Sequence, residues 1–340
     1  MRRPLEIIGS GLVTSVGLTS AAAAAAIRAG LSNAQITRFM DWGGEWIAAH
    51  VAPIEAHDPH TKLLKMAATA IEECIWRAAL EPDMNIAMVL CLPEASRPST
   101  GHELGASAIG EIATLLGTRF STHSCVITVG RVGGFFGLDR ARTLVYEGKA
   151  DAVLVAGVDS YVNWPALSHF EDRHRLLTSR NSDGFLPGEA AAALMAARPR
   201  SGVALRCEGL GFASESATID TDLPLRADGL VEAIHAAARD ADCRPQDFDL
   251  RISGLSGEHY YFKEAALAMS RLIRDQGSDA DLWHPADCTG EVGAAAGPLG
   301  IAIAANACAK GYASGSRILC HLSSDGTERS AAFLSYGMLQ

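Results

Sequence analysis

The 340-residue sequence has no Cys-x-x-Cys pair, no His-x-x-x-His spacing and no mixed set with the intervals of a zinc site. Neither a metal centre of the zinc type nor dithiol redox chemistry is indicated, because the characteristic spacing of each is missing. An apolar run of the ~20 residues that span a bilayer is also missing. Positive charge is in deficit, with 29 Lys and Arg against 39 Asp and Glu and a net charge of −10. That balance repels phosphate backbones and anionic membrane surfaces, so neither nucleic acid nor membrane is an expected partner.

What is present is a globular composition, 48% hydrophobic and 20% charged, with enough chain for one large or two ordinary domains. The eight cysteines (Cys74, Cys91, Cys125, Cys207, Cys243, Cys288, Cys308 and Cys320) are scattered through mostly apolar segments. They read as small core residues of a reduced, cytoplasmic protein. The opening MRRPLEIIGSGLVTSVGLTSAAAAAAIRAG has the basic start and apolar run of a secretory signal, but Glu6, Gly9, Gly11 and Gly17 interrupt it. It reads instead as a strand at 5–8, a glycine turn, and a helix capped at Thr19 or Ser20 and ended by Gly30.

Periodicity places strands near 5–9, 86–92, 124–129, 152–157, 189–196, 203–209, 249–253, 282–285, 316–322 and 331–336. Helices fall near 20–29, 60–79, 105–116, 132–147, 225–242, 260–275 and 293–310. The alternation implies a layered α/β architecture, divided at the ARPRSG turn (197–202) into halves 1–200 and 201–340. The halves echo each other. Gly130-Arg131-Val132-Gly133-Gly134 matches Gly290-Glu291-Val292-Gly293-Ala294 at an offset of 160, and IIGSGL from Ile7 matches CEGLGF from Cys207. An internal duplication is the reading.

Several segments resemble landmarks of the β-ketoacyl synthase (ketosynthase) branch of the thiolase-fold superfamily. EGKADAVLVAGVDS from Glu147 is similar to that family's G-x-A-D-x-x-L-A-G-G strand, and SDGFLPGEAAAAL from Ser182 to its R-D-G-F-V-x-G-E-G-A-G. DLRISGLSGE from Asp249 stands at the place of N-A-H-G-T, and DCTGEVGAAAGPLG from Asp287 at that of T-G-H-x-x-G-A-A-G. LSSDGTERSAAFLSY from Leu322 stands where the glycine-rich loop and last strand would be. The resemblance covers nearly the whole chain. It implies a thiolase-like α/β fold, with duplicated halves stacked as αβαβα layers.

The departures fall on the chemistry. In this resemblance the family's nucleophilic cysteine falls on Arg131 and its two histidines on Gly254 and Glu291, so no catalytic residue is intact. A guanidinium stays protonated and is no nucleophile. Ser324 stands for the gating phenylalanine, and Asp325, Glu328 and Arg329 put charge where an acyl tunnel needs apolar walls. The cleft candidates are Arg131, Glu291, Ser256, Ser324 and Asp325. A direct Arg131–Glu291 salt bridge is expected to plug the former site.

Two functional classes remain. One is a catalytically inactive ketosynthase-like protein that acts by binding: a partner subunit, scaffold or adaptor for an acyl or polyketide synthase or for a secretion-associated effector. The other is an acyltransferase of the 3-oxoacyl-carrier-protein synthase type with relocated residues, Cys288 or Ser256 working with Glu291. Cys125, like Cys288, reads more readily as buried filler than as a hidden nucleophile, and the lone His259 and His284 read as structural. GRVGGFFG from Gly130 lacks the G-x-G-x-x-G spacing of a dinucleotide loop, and no cofactor is expected. The resemblance implies a homodimer or heterodimer through the edge strand near 125–129, with an acyl carrier protein among its conceivable partners. The basic run 172–180 reads either as a solvated loop or as a landing for that acidic carrier.

Overall fold

The computed structural model describes residues 3–81, 83–98, 104–273 and 280–339. In the first half, strand β1 (Leu5–Val13) is followed by helix α1 (Ser20–Arg28), a hairpin of β2 (Gln35–Met40) and β3 (Trp46–Ala49), and the long helix α2 (Pro59–Ala78). Next come β4 (Ile86–Cys91), α3 (Ala108–Leu116), β5 (Cys125–Ile127), α4 (Gly133–Tyr146), β6 (Ala152–Ser160), α5 (Trp164–Glu171) and β7 (Glu189–Ala197). The second half runs β8 (Val203–Ser214), α6 (Asp228–Ala241), β9 (Leu250–Ser253), α7 (His259–Leu272) and β10 (Asp281–Trp283). It closes with the short α8 (Ala286–Thr289), α9 (Ala296–Ala309), β11 (Arg317–Ser323) and β12 (Glu328–Met338).

Strand order is β10-β9-β11-β12-β8-β1-β7-β6-β4-β5. Read outward from the central β8–β1 contact, the two arms repeat one pattern. Each has two antiparallel pairings and then two parallel ones: β1-β7-β6-β4-β5 on one side, β8-β12-β11-β9-β10 on the other. Strands alternate faces at period 2, so Val153 and Val155 of β6 point to the same cluster as α4 and α9, while Leu154 and Ala156 point to α2 and α3. Leu319 and Phe333 likewise point to α6 and α7. Helices α4 and α9 therefore lie between two sheet faces, and α2, α3, α6 and α7 cover the outside, giving the αβαβα stack. Among the described residues no helix is long and apolar enough to cross a membrane.

The glycines of the two echoing openings sit within strands rather than in turns. A Cβ on Gly11 of β1 would lie 1.9 Å from the Ala70 carbonyl oxygen of α2, and one on Gly211 of β8 2.0 Å from that of Ala233 in α6. Glycine here lets a helix rest directly on strand backbone, which is why β1 runs on to Val13 past the expected turn.

The duplication has a different register from the one read in the letters. The 3₁₀ turns that open the central helices are Gly130–Val132 and Gly293–Ala295, each led by a valine of similar backbone (φ −125° at Val129, −118° at Val292), and α4 and α9 are both 14 residues long. The true mates are thus Gly130 with Gly293 and Gly134 with Gly297. Arg131 answers to Ala294, and Glu291 lies two residues ahead of the second turn. The two helix starts meet at those glycines, where a Cβ on Gly297 would be 3.4 Å from Gly134 Cα. The 200/201 division, still a proposal as a domain boundary, falls between the end of β7 and the start of β8.

Four elements were not expected from the sequence: β2 and β3 of the hairpin, α5 and the short α8. The tail of the helix expected over 260–275 lies partly outside the described residues, and α7 ends at Leu272. Replacing Gly211 by alanine should lower stability by at least about 1–3 kcal/mol, since backbone must move to admit the methyl group. Gly110, inside α3 with open space around it, should gain about 0.5–1 kcal/mol from the same change. Urea unfolding midpoints of the two variants check the contrast.

Candidate functional site

Five charged side chains converge at the meeting point of the two helix starts. After β5 the chain turns at Gly130 into the first 3₁₀ turn and buries Arg131, 3% exposed. Glu291 is fixed by its backbone, which bonds to Leu186 and Gly188 at 2.8 and 2.9 Å. Its Oε1 accepts the Gly293 N–H at 2.8 Å, capping the turn that leads into α9, and its Oε2 faces Arg131 Nε at 3.2 Å. The expected pair is present. Arg131 also has Asp325 at 3.5 Å and Glu258 at 3.8 Å, with the Tyr261 ring 4.9 Å from its guanidinium carbon. None of its N–H groups makes a well-directed hydrogen bond among the described residues, so its contacts are ionic.

The directed bonds belong to Arg175. Its guanidinium bonds Glu258 at 2.6 and 2.8 Å and Asp325 at 2.7 and 3.0 Å, gripping two carboxylates at once. Tyr261 adds its hydroxyl to Asp325 at 2.5 Å. Within the basic run 172–180, Arg173, His174 and Arg180 are exposed, as the solvated-loop reading expects, but Arg175 departs from it. Arg175 is 6% exposed and faces inward, because the segment folds back through the Leu176–Phe185 bridge over the Phe170–Phe185 aromatic pair. Neighbouring His174 is held at φ 54°, a conformation disfavoured for its side chain.

Of the sequence candidates, Arg131, Glu291 and Asp325 come together here. Of the other three, Gly254 and Ser324 serve packing and local bonding. Gly254 abuts Leu322, where a Cβ would stand 2.7 Å from Cδ2, and Ser324 donates to Glu328 at 2.8 Å. Ser256 is half-buried with its hydroxyl unpartnered among the described residues. Arg329, expected on a tunnel wall, is wholly buried and bonds Glu264 at 2.7 Å. The relocated nucleophile fares poorly: Cys288 is buried and burial pushes its thiol up, away from the thiolate. Cys125 lies on the edge strand β5, His259 is exposed, and His284 pairs with Asp287 at 2.8 Å.

Sequence reading missed Arg175, Glu258 and Tyr261, all carried on loops or helix starts where spacing holds no signal for burial. The cluster is also segregated by sign. Both guanidiniums come from residues before 200, and all three carboxylates from residues after it. Two cations against three anions leave one negative charge in excess. Burial raises the Glu258 carboxyl, with Arg175 and Arg131 acting against the rise. Burial also pushes Asp325 up, but Arg131 and Arg175 more than reverse this and hold it well below the usual carboxylate range.

The chemistry available at this centre is electrostatic. No thiol, hydroxyl or imidazole is among the five groups, and the adjoining void lined by Ser253, Gly254 and Glu291 is about 20 Å³, room for one water. Acid should loosen the molecule from another quarter as well. His321, 2% exposed on β11, is pushed down to about 3 by burial with Arg251 nearby. Its folded value is depressed, so the unfolded chain takes up a proton below about pH 6.5 that the folded one refuses, and stability falls with pH. Asp159, raised to about 6 by burial, opposes this trend, so the clean observable is a difference between proteins. A His321→Leu variant should flatten the fall between pH 6.5 and 5 by about 2 kcal/mol relative to the wild type, measured by urea denaturation.

No family model matches the sequence, and no curated protein matches it either. Solved structures match along nearly the whole chain. A type II polyketide synthase acyl-carrier protein in complex with its ketosynthase bound to the hexaketide (AntDE:AntF) gives a TM-score of 0.83 at 16% identity, covering 98% of this chain and 100% of that one. The ishigamide ketosynthase/chain length factor gives 0.81 at 17% identity, covering 98% and 99%. The ketosynthase ApeO in complex with its chain length factor ApeC, from Xenorhabdus doucetiae, gives 0.75 at 12% identity and 98% of each chain. With these matches and its repeated five-strand arms, the chain has the thiolase-like fold in its ketosynthase form.

Proposed function

We propose that this protein acts by binding, as a catalytically silent ketosynthase-fold subunit that pairs with another chain of the same fold in the cytoplasm. The observation that carries this reading is the filled centre. Where a condensing enzyme needs a thiolate and imidazoles, Arg131 and Arg175 are locked against Glu258, Glu291 and Asp325. A guanidinium cannot carry an acyl group, and carboxylates engaged by two arginines are poor bases. In this reading Arg131, Gly254 and Glu291 occupy the places of the family's nucleophile and histidines.

Pairing is supported by the edge of the sheet. The partly exposed strand β5, Cys125-Val126-Ile127, bonds only to β4 among the described residues and leaves its other edge open to a further strand. Two of the matched structures are themselves pairings of a ketosynthase with a chain length factor, which favours a ketosynthase-fold partner, with an acyl carrier protein as a further one. No disulfide is formed among the described cysteines, which suits a reducing compartment.

Intact-mass measurement after incubation with acetyl and malonyl thioesters should show no adduct, and an Arg131→Cys variant should also show no condensation. Light scattering should show a dimer, either of this chain or with a co-expressed ketosynthase. Val126→Pro, which removes an edge donor, should weaken dimerisation at least about tenfold. A covalent acyl adduct on the wild type would favour the relocated acyltransferase instead.

A further inference from the structure

A cleft of about 430 Å³ opens in the first half, beside but separate from the central cluster, between the start of α2, the loop after β4 and the loop after β6. Its size falls within the range of small-molecule sites. Its walls do not suit an aliphatic chain, since they include Arg38, His57, Lys62, Arg97, Glu94 and Glu189.

The hydrogen bonds around it are unbalanced. Its deep carboxylates are spent. Glu189 accepts from Lys62, from the Ala52 N–H at 2.9 Å and from Ser160 at 2.9 Å. Asp159 accepts from Arg97 and from the Ala294 N–H at 2.9 Å. Asp58, at the rim, is taken up in capping α2 through the Thr61 N–H at 2.9 Å and hydroxyl at 2.6 Å.

Donors, by contrast, are left over. Arg97, its side chain 5% exposed and its guanidinium stacked 4.1 Å from the centre of the Tyr161 ring, has Nη1 without a hydrogen bond among the described residues. Lys62 uses one of its three donors, on Glu189. Arg38 and His57 are exposed and have no carboxylate partner among the described residues. Among the described lining residues the one carboxylate with spare capacity is Glu94, which faces Arg97 Nε at 3.8 Å and crowds Gly130, so an acceptor-rich ligand would sit toward Arg38 and His57.

We propose that this cleft binds a small polar molecule bearing a carboxylate or phosphate group, with its anionic end held by Arg38, His57 and Lys62. Lys62, 22% exposed in its side chain, would screen its share of that charge from salt, whereas Arg38 and His57 hold theirs at the exposed rim.

Thermal unfolding of the full chain in inorganic phosphate, in succinate and in chloride at equal ionic strength tests it. Phosphate or succinate should raise Tm by about 2 °C or more over chloride at roughly ten times Kd, and whichever does so identifies the group recognised. The Arg38→Gln, His57→Asn double variant changes two exposed side chains that have no carboxylate partner among the described residues, so it should fold normally and lose the rise. Equal Tm in all three salts for the wild type would overturn the proposal, as would an undiminished rise in the double variant.

Discussion

Everything at the centre of this molecule depends on one constraint: two buried guanidiniums from the first half have to meet carboxylates from the second. A buried arginine without a counter-charge is strongly unfavourable, and among the described residues no other anions close around Arg131 and Arg175. The turn before α9, the loop before α7 and the β11–β12 turn must therefore all come to rest against the first half together. Arg175 does most of this joining. It binds carboxylates from two separate loops of the second half, while Arg131 below it is surrounded by charge without directed bonds.

The fold makes such a meeting unavoidable. Duplicated arms stack their sheets with α4 and α9 between them, and the close contact at Gly134 and Gly297 brings both helix starts to one spot. In an enzyme of this architecture that spot concentrates reactive groups. Here the same geometry concentrates opposite charges, and what it offers is cohesion between the halves. The proposed binding surfaces lie elsewhere, at the open edge of β5 and in the polar cleft beside it.

Much of the scaffold was legible in the letters. Strand alternation, the Thr19 cap and the glycine stops placed most elements within a few residues, because those signals are local. The hairpin was missed because Ile36, Met40, Trp42 and Trp46 are exposed, so no burial period marks it. Helix α5 was missed because Pro165 reads as a breaker, whereas it sits in the first turn behind an Asn163 cap. The duplication was found from similar letters but three residues out of register, since backbone angles and not side chains repeat there. At the site, Arg131, Glu291 and Asp325 could be named in advance. Arg175 and Glu258 could not, because loop closure across ~80–150 residues leaves no mark in local sequence.

The most direct measurement is a double-mutant cycle on unfolding free energy with Arg131→Met, Glu291→Leu and the pair. If the centre is an ion cluster that holds the halves together, each single change should be costly. The double change should cost less than their sum, with a coupling of about 1–3 kcal/mol. Additive effects, with coupling near zero, would show that Arg131 and Glu291 are neighbours without mutual dependence and would contradict the account.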